Sequence, residues 1–157
     1  MYKRILVPVD GSEGAMHALD KTIELARSLH AEVQAVFVLV HPAQLVDIGG
    51  AYVEEIPPTD MTSRTATSVL DEARERFARA GVVGSVRAID SYGDSIVTVL
   101  KRGIDEFSAD LVVMYSHGRR GFRRLLAGSV AESLLRDTTI PLLLLRDITE
   151  EEEGAAS

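Results

Sequence analysis

Cysteine is absent from the 157 residues, which excludes thiol nucleophiles, iron–sulfur clusters and cysteine-ligated zinc. A chain of this length buries an adequate core without such staples. No apolar run approaches the ~20 residues that cross a bilayer; the longest lie near Val36–Val40 and Ile140–Leu145. Met1-Tyr2-Lys3-Arg4 leads into a short apolar run ending in Val9, too short for a signal peptide, so the expected location is the cytoplasm. An excess of positive charge is also missing. The net charge is −7, which argues against general binding to nucleic acid and against insertion into or adhesion to anionic membranes. The four histidines, His17, His30, His41 and His117, form no HExxH or H-x-H pair, so no metal site is expected. Neither a GxxxxGK[ST] loop nor a G-x-G-x-x-G after a strand occurs.

What remains is a chain 46% hydrophobic and 26% charged, the balance of a globular domain. Tyr2–Val9 is a short run rich in Ile and Val, without polar alternation, as in strands buried on both faces of a parallel sheet. Ala15–Leu29 carries apolar residues at helical spacing around Asp20, Lys21, Glu24 and Arg27. Glu32–Val40 reads as a second strand, and from His41 to about Asp60 periodicity fails through Pro42, Gly49-Gly50 and Pro57-Pro58. A helix over 61–80 follows, with Glu72–Arg76 and Glu75–Arg79 at i,i+4. Val83–Ile89 reads as a third strand, and the next helix places Ile96, Val99, Leu100, Ile104 and Phe107 on one stripe. Asp110–Tyr115 is a fourth strand, 130–137 a last helix and Pro141–Leu145 a fifth strand. Residues 147–157, with four consecutive glutamates, are expected to be an acidic, disordered tail beyond a single domain of residues 1–146.

Alternating strands and helices imply an α/β fold, a single doubly wound open sheet of five parallel strands with helices on both faces. Such sheets bind ligands outside the carboxyl ends of the strands, where the strand order reverses. The strand-end segment richest in chemistry is Ser116-His117-Gly118-Arg119-Arg120-Gly121, running on to Gly128-Ser129-Val130. Four arginines and no acid lie between Tyr115 and Ser129. Glycines let backbone N–H groups approach an anion, and a helix N-terminus adds partial positive charge. A structural alternative stands beside this phosphate cradle. Ser129-Val130-Ala131-Glu132 fits a capping box, and the arginines fit a solvated surface. Asp94 at a strand end suits either Mg²⁺ or a helix cap.

Ile5-Leu6-Val7-Pro8-Val9-Asp10-Gly11-Ser12 resembles the opening of the universal stress protein (UspA-like) family. Ser116-His117-Gly118, a nine-residue gap, Gly128-Ser129 and then Pro141–Leu145 resemble its close, so the likeness spans about Tyr2–Arg146. The ATP-binding branch carries Gly-x-x-Gly-x9-Gly-Ser; here Gly118 and Gly128 hold the second and third glycines, and Tyr115 stands at the first. A side chain there either crowds a nucleotide or points away and leaves the backbone contacts intact.

The resemblance implies strand order 3-2-1-4-5 and a site for ATP, with or without Mg²⁺, ADP and AMP being alternatives. Asp10 would contact the ribose, with a turn residue as its plain alternative. Pro8 and Val9 would wall the adenine pocket, Val38 would meet the base and Met114 would pack beside base or sugar. Gly118, Arg119, Gly128, Ser129 and Val130 would hold the phosphates. The resemblance also implies a homodimer through the last strand, Pro141 to Leu145, since an apolar edge strand needs pairing or cover. The expected function is a cytoplasmic, nucleotide-responsive regulator of the stress response with at most slow hydrolysis, because nothing resembles a base poised over a γ-phosphate. The competing reading is a dimeric interaction module that has lost ATP. An ATP pyrophosphatase or a nucleotidyltransferase is a third, but neither a Ser-Gly-Gly-x-Asp-Ser loop nor a His-x-x-His or His-x-Gly-His signature occurs.

Overall fold

In the computed structural model, which describes residues 1–40, 59–116 and 125–146, five strands alternate with four helices. The elements are β1 (Arg4–Pro8), α1 (Glu13–Leu29), β2 (Glu32–Leu39), α2 (Thr59–Ala80), β3 (Gly84–Asp90), α3 (Ile96–Phe107), β4 (Leu111–Tyr115), α4 (Leu125–Asp137) and β5 (Leu142–Leu145). The strands form one sheet in the order β3-β2-β1-β4-β5, every neighbouring pair parallel, as expected for a doubly wound α/β fold. The expected loop over 41–60 lies outside the described residues except for Thr59 and Asp60, which begin α2. The acidic segment 147–157 lies outside them entirely.

Two apolar clusters sandwich the sheet. On one face α1 and α2 bury Ala18, Leu19, Ile23, Ala73 and Phe77 against Ile5, Val7, Val33 and Val113. On the other, α3 and α4 bury Val99, Leu100, Ile104, Phe107 and Leu134 against Leu6, Val36 and Val112. Successive strand residues point to opposite faces. A strand buried on both therefore has to be apolar throughout, and that is why β1 and β4 read as continuous hydrophobic runs. The α3 stripe is the cleanest match between sequence and structure, since Val99, Leu100, Ile104 and Phe107 are all buried.

Local chemistry fixes the helix ends. Ser12 caps α1, its Oγ accepting from the Ala15 N–H at 3.2 Å, and Ser95 caps α3 in the same way through the Thr98 N–H. Arg76 ties α2 to α1 by donating to both Asp20 carboxylate oxygens at 2.7 and 2.8 Å while also pairing with Glu72. Partial burial works against its charge, but the two acids outweigh that and raise the Arg76 pKa. At the amino ends of the strands the Asp110 carboxylate accepts from the Lys3 and Arg4 N–H groups at 2.8 and 3.0 Å, joining β1 to β4.

Candidate functional site

The strand order reverses between β1 and β4. The chain leaves β1 toward the α1–α2 face, whereas α4, which follows β4, packs on the opposite face. Connections that diverge in this way open a crevice above the carboxyl ends of the two strands.

Proline widens it. The Val9 N–H donates to the Val36 carbonyl at 2.9 Å, so odd residues of β1 bond toward β2 and even ones toward β4. Pro8 therefore lacks its N–H on the β4 side, where the next ladder bond would form. Pairing between β1 and β4 correspondingly extends over Ile5↔Leu111 and Leu6↔Val112 only, although β1 continues to Pro8 and β4 to Tyr115. The same residue pairs normally with β2, opposite Val36. The two central strands are zipped at the bottom and open at the top.

The expected site residues distribute around this opening in a definite way. Pro8 ends β1, Val38 and Met114 are the penultimate residues of β2 and β4 on either side of it, and all three lie on the α3–α4 face. Leu6 fixes that face for Pro8 by alternation, while Val38 and Met114 belong to its apolar cluster. Met114 is buried, and Pro8 and Val38 are half-buried. Val130, half-buried on α4, packs against the same cluster. Val9 faces the other way. Its side chain is only 3% exposed within the α1–α2 core, so it presents backbone alone to the rim.

Asp10 follows Val9 at the mouth and is exposed. Its Oδ1 accepts from the Ser12 N–H at 2.9 Å, and Gly11 between them sits at φ +87°, a conformation that favours glycine. The turn role weighed for Asp10 is thus present, and among the described residues Oδ2 has no hydrogen-bond partner. Asp94, the alternative Mg²⁺ ligand, instead pairs with Arg102 at 2.9 Å, and no three His, Asp or Glu side chains among the described residues gather as a metal site.

The last helix differs from the sequence reading. It starts at Leu125 rather than about 130, so Gly128 and Ser129 fall inside α4 and Ser129 is not its N-cap. Leu125, Leu126 and Ala127 are strong helix formers, and they start the helix upstream of the Ser129-Val130-Ala131-Glu132 capping box that the sequence offers. The amide groups left unbonded by a helix's first turn then belong to residues up to Ala127, immediately before Gly128. Gly118 and Arg119 lie outside the described residues.

Tyr115 was the open question, and sequence reasoning missed its partner. Its ring faces α1. A Cβ built on Gly14 would lie 2.1 Å from the ring's Cε1 and 2.2 Å from Cδ1. Linear spacing carries no signal that these two positions touch.

A family model described as "Universal stress protein family" matches residues 1–146. Universal stress protein MJ0531 of Methanocaldococcus jannaschii is 26% identical over 155 residues, covering 93% of this chain and 83% of that one. A crystal structure of a universal stress protein family member from Burkholderia pseudomallei is 33% identical, with TM-score 0.70 over 92% of this chain and 96% of that one. A universal stress protein crystallised in complex with cAMP is 23% identical at TM-score 0.66, covering 92% and 97%. Two more distant structures, from Archaeoglobus fulgidus in complex with dAMP and from Arabidopsis thaliana with AMP bound, are 22% and 16% identical at TM-scores 0.63 and 0.65. They cover 91% and 95% of this chain, and 97% and 94% of their own. Below 25% identity the likeness is one of fold alone.

Proposed function

The chain belongs to the universal stress protein family, and from that premise we propose that the crevice between β1 and β4 binds an adenine nucleotide. The observation that carries this reading is the opening itself. An unzipped pair of central strands is bordered on one side by the apolar row Pro8, Val38 and Met114, and at its mouth by a carboxylate with one oxygen unbonded among the described residues. An adenine ring suits the apolar row, with backbone groups at the ends of β1 and β2 available to its edge. Ribose hydroxyls donate to Asp10 Oδ2. The phosphates extend toward the start of α4, where the unbonded amides up to Ala127 meet them, with Gly118, Arg119, Gly128, Ser129 and Val130 beside them. The cAMP, dAMP and AMP found with proteins of this fold support the adenosine half of this assignment. ATP, with or without Mg²⁺, is the triphosphate form expected from the Gly118, Gly128 and Ser129 spacing.

The protein then works as a nucleotide-responsive regulator of the stress response in the cytoplasm, with at most slow hydrolysis. No helix among the described residues is long and apolar enough to cross a membrane. Its partner is a second copy of itself. Among the described residues β5 is the edge strand beside β4, and Leu143 and Leu144 are 41% and 43% exposed there, on opposite faces of the strand. Pairing β5 with its twin across a two-fold axis removes the edge and covers both leucines. The working unit is residues 1–146, with 147–157 as an acidic tail.

Mass spectrometry of nucleotide released from the purified protein, combined with melting in millimolar AMP, ADP and ATP, tests the reading. A co-purified adenine nucleotide and a raised melting temperature are expected, since a ligand that binds only the native state stabilises it. No nucleotide and no shift with any of the three would leave a dimeric interaction module in its place.

A further inference from the structure

Tyr115 ends β4 at the rim of the crevice, yet its ring lies among the α1–α2 cluster rather than above the strand ends. We propose that Gly14 is the seat that keeps this ring out of the nucleotide crevice, so that Gly14 and Tyr115 act as a coupled positioning pair for ligand binding. The inference rests on the nucleotide reading above and adds to it the device that keeps the crevice open with a bulky residue at its edge.

Gly14 is the second residue of α1. Its backbone needs no glycine, because the glycines at positive φ among the described residues are Gly11, Gly81 and Gly93, and Gly14 is not one of them. In a helix, glycine is the poorest residue apart from proline, so helix propensity also argues against it. What glycine provides here is space. An added Cβ would sit 2.1, 2.2 and 2.4 Å from Cε1, Cδ1 and Cζ of Tyr115, far inside the 3.0 Å below which real Cβ contacts essentially do not occur. Three atoms of a rigid ring are involved, so a small shift does not relieve the clash and the ring has to leave its seat.

Where it goes follows from rotamer geometry. Side chains on a strand occupy a few staggered positions and lean along the strand direction. For the last residue of β4, a rotamer turned away from α1 carries the ring past the carboxyl end of the strand and into the mouth beside Asp10. A methyl group on α1 would therefore block a ligand that α1 itself does not touch.

Isothermal titration with AMP on four full-length proteins tests this: wild type, Gly14→Ala, Tyr115→Gly and the double variant. Circular dichroism and melting without nucleotide accompany each titration. The proposal expects binding in wild type and Tyr115→Gly, a loss of about tenfold or more in Gly14→Ala, and recovery in the double variant. Equal affinity in wild type and Gly14→Ala overturns it. So does a loss that the double variant fails to restore, which would mark ordinary damage to α1. Binding in Tyr115→Gly but not in wild type also overturns it, because the ring then blocks the crevice from its seat. Absence of binding in both of those proteins removes the nucleotide reading, and the proposal with it.

Discussion

Substituting Asp10 by asparagine separates the two roles this residue is given. The turn role uses Oδ1, which accepts from the Ser12 N–H at 2.9 Å, and an asparagine oxygen accepts equally well there. The negative charge beside the α1 N-terminus is lost, a change of about 0.3–1 kcal/mol at an exposed position. For a domain of this size that lowers the melting temperature by about 4 °C at most. The ligand role uses Oδ2, which asparagine turns into an NH₂ donor. A ribose hydroxyl then faces a donor in place of a charged acceptor. Hydrogen bonds to charged groups contribute about 1.5–3 kcal/mol against about 1 for neutral pairs, so the expected loss is ~1.5 kcal/mol, or about tenfold in Kd. Asp10→Ala removes both contacts and should lower apo stability further while weakening binding at least as much. Titration calorimetry with AMP and melting without it read the two roles independently. Unchanged affinity in Asp10→Asn would refute the ribose assignment, and a fall in apo melting well beyond 4 °C would show that charge at the turn matters more than ligand contact.

Other consequences concern the frame around the crevice. Leu134 is fully buried between α4 and the sheet, so Leu134→Ala should cost about 3 kcal/mol in urea unfolding; a loss below about 1 would mean that α4 does not pack as described. Ser12→Ala removes the α1 cap and should cost about 1 kcal/mol by the same assay, whereas an unchanged midpoint would deny the cap its role. Leu143→Lys with Leu144→Lys places charge on an already exposed edge. If β5 forms the proposed dimer, light scattering should find this variant monomeric with its secondary structure intact, and a dimer that persists in the variant would exclude β5 as the interface.

The sequence makes the frame legible because burial on two faces leaves a mark that needs no partner to be read. Ile5–Val7 and Leu111–Met114 are uninterrupted apolar runs because helices cover both sides of β1 and β4. The α3 stripe is equally plain. Strand order, by contrast, came from the family resemblance, since no periodicity states which strands are neighbours. The start of α4 reads late in the sequence because Ser129-Val130-Ala131-Glu132 fits a capping box, while three strong helix formers before Gly128 carry the helix upstream to Leu125. Pro8 appears in the sequence as a simple strand residue. Only the register shows that its missing N–H faces β4 and ends that ladder. The orientation of Tyr115 is a tertiary fact of the same kind, decided by a glycine on another element.

The most direct test of the crevice is a titration with AMP followed residue by residue through backbone and methyl NMR shifts. Saturable changes are expected at Asp10, Val38, Met114 and Val130, with the opposite end of the sheet, at Lys3 and Asp110, unmoved. Shifts confined to that opposite end, or none at millimolar AMP, would contradict it.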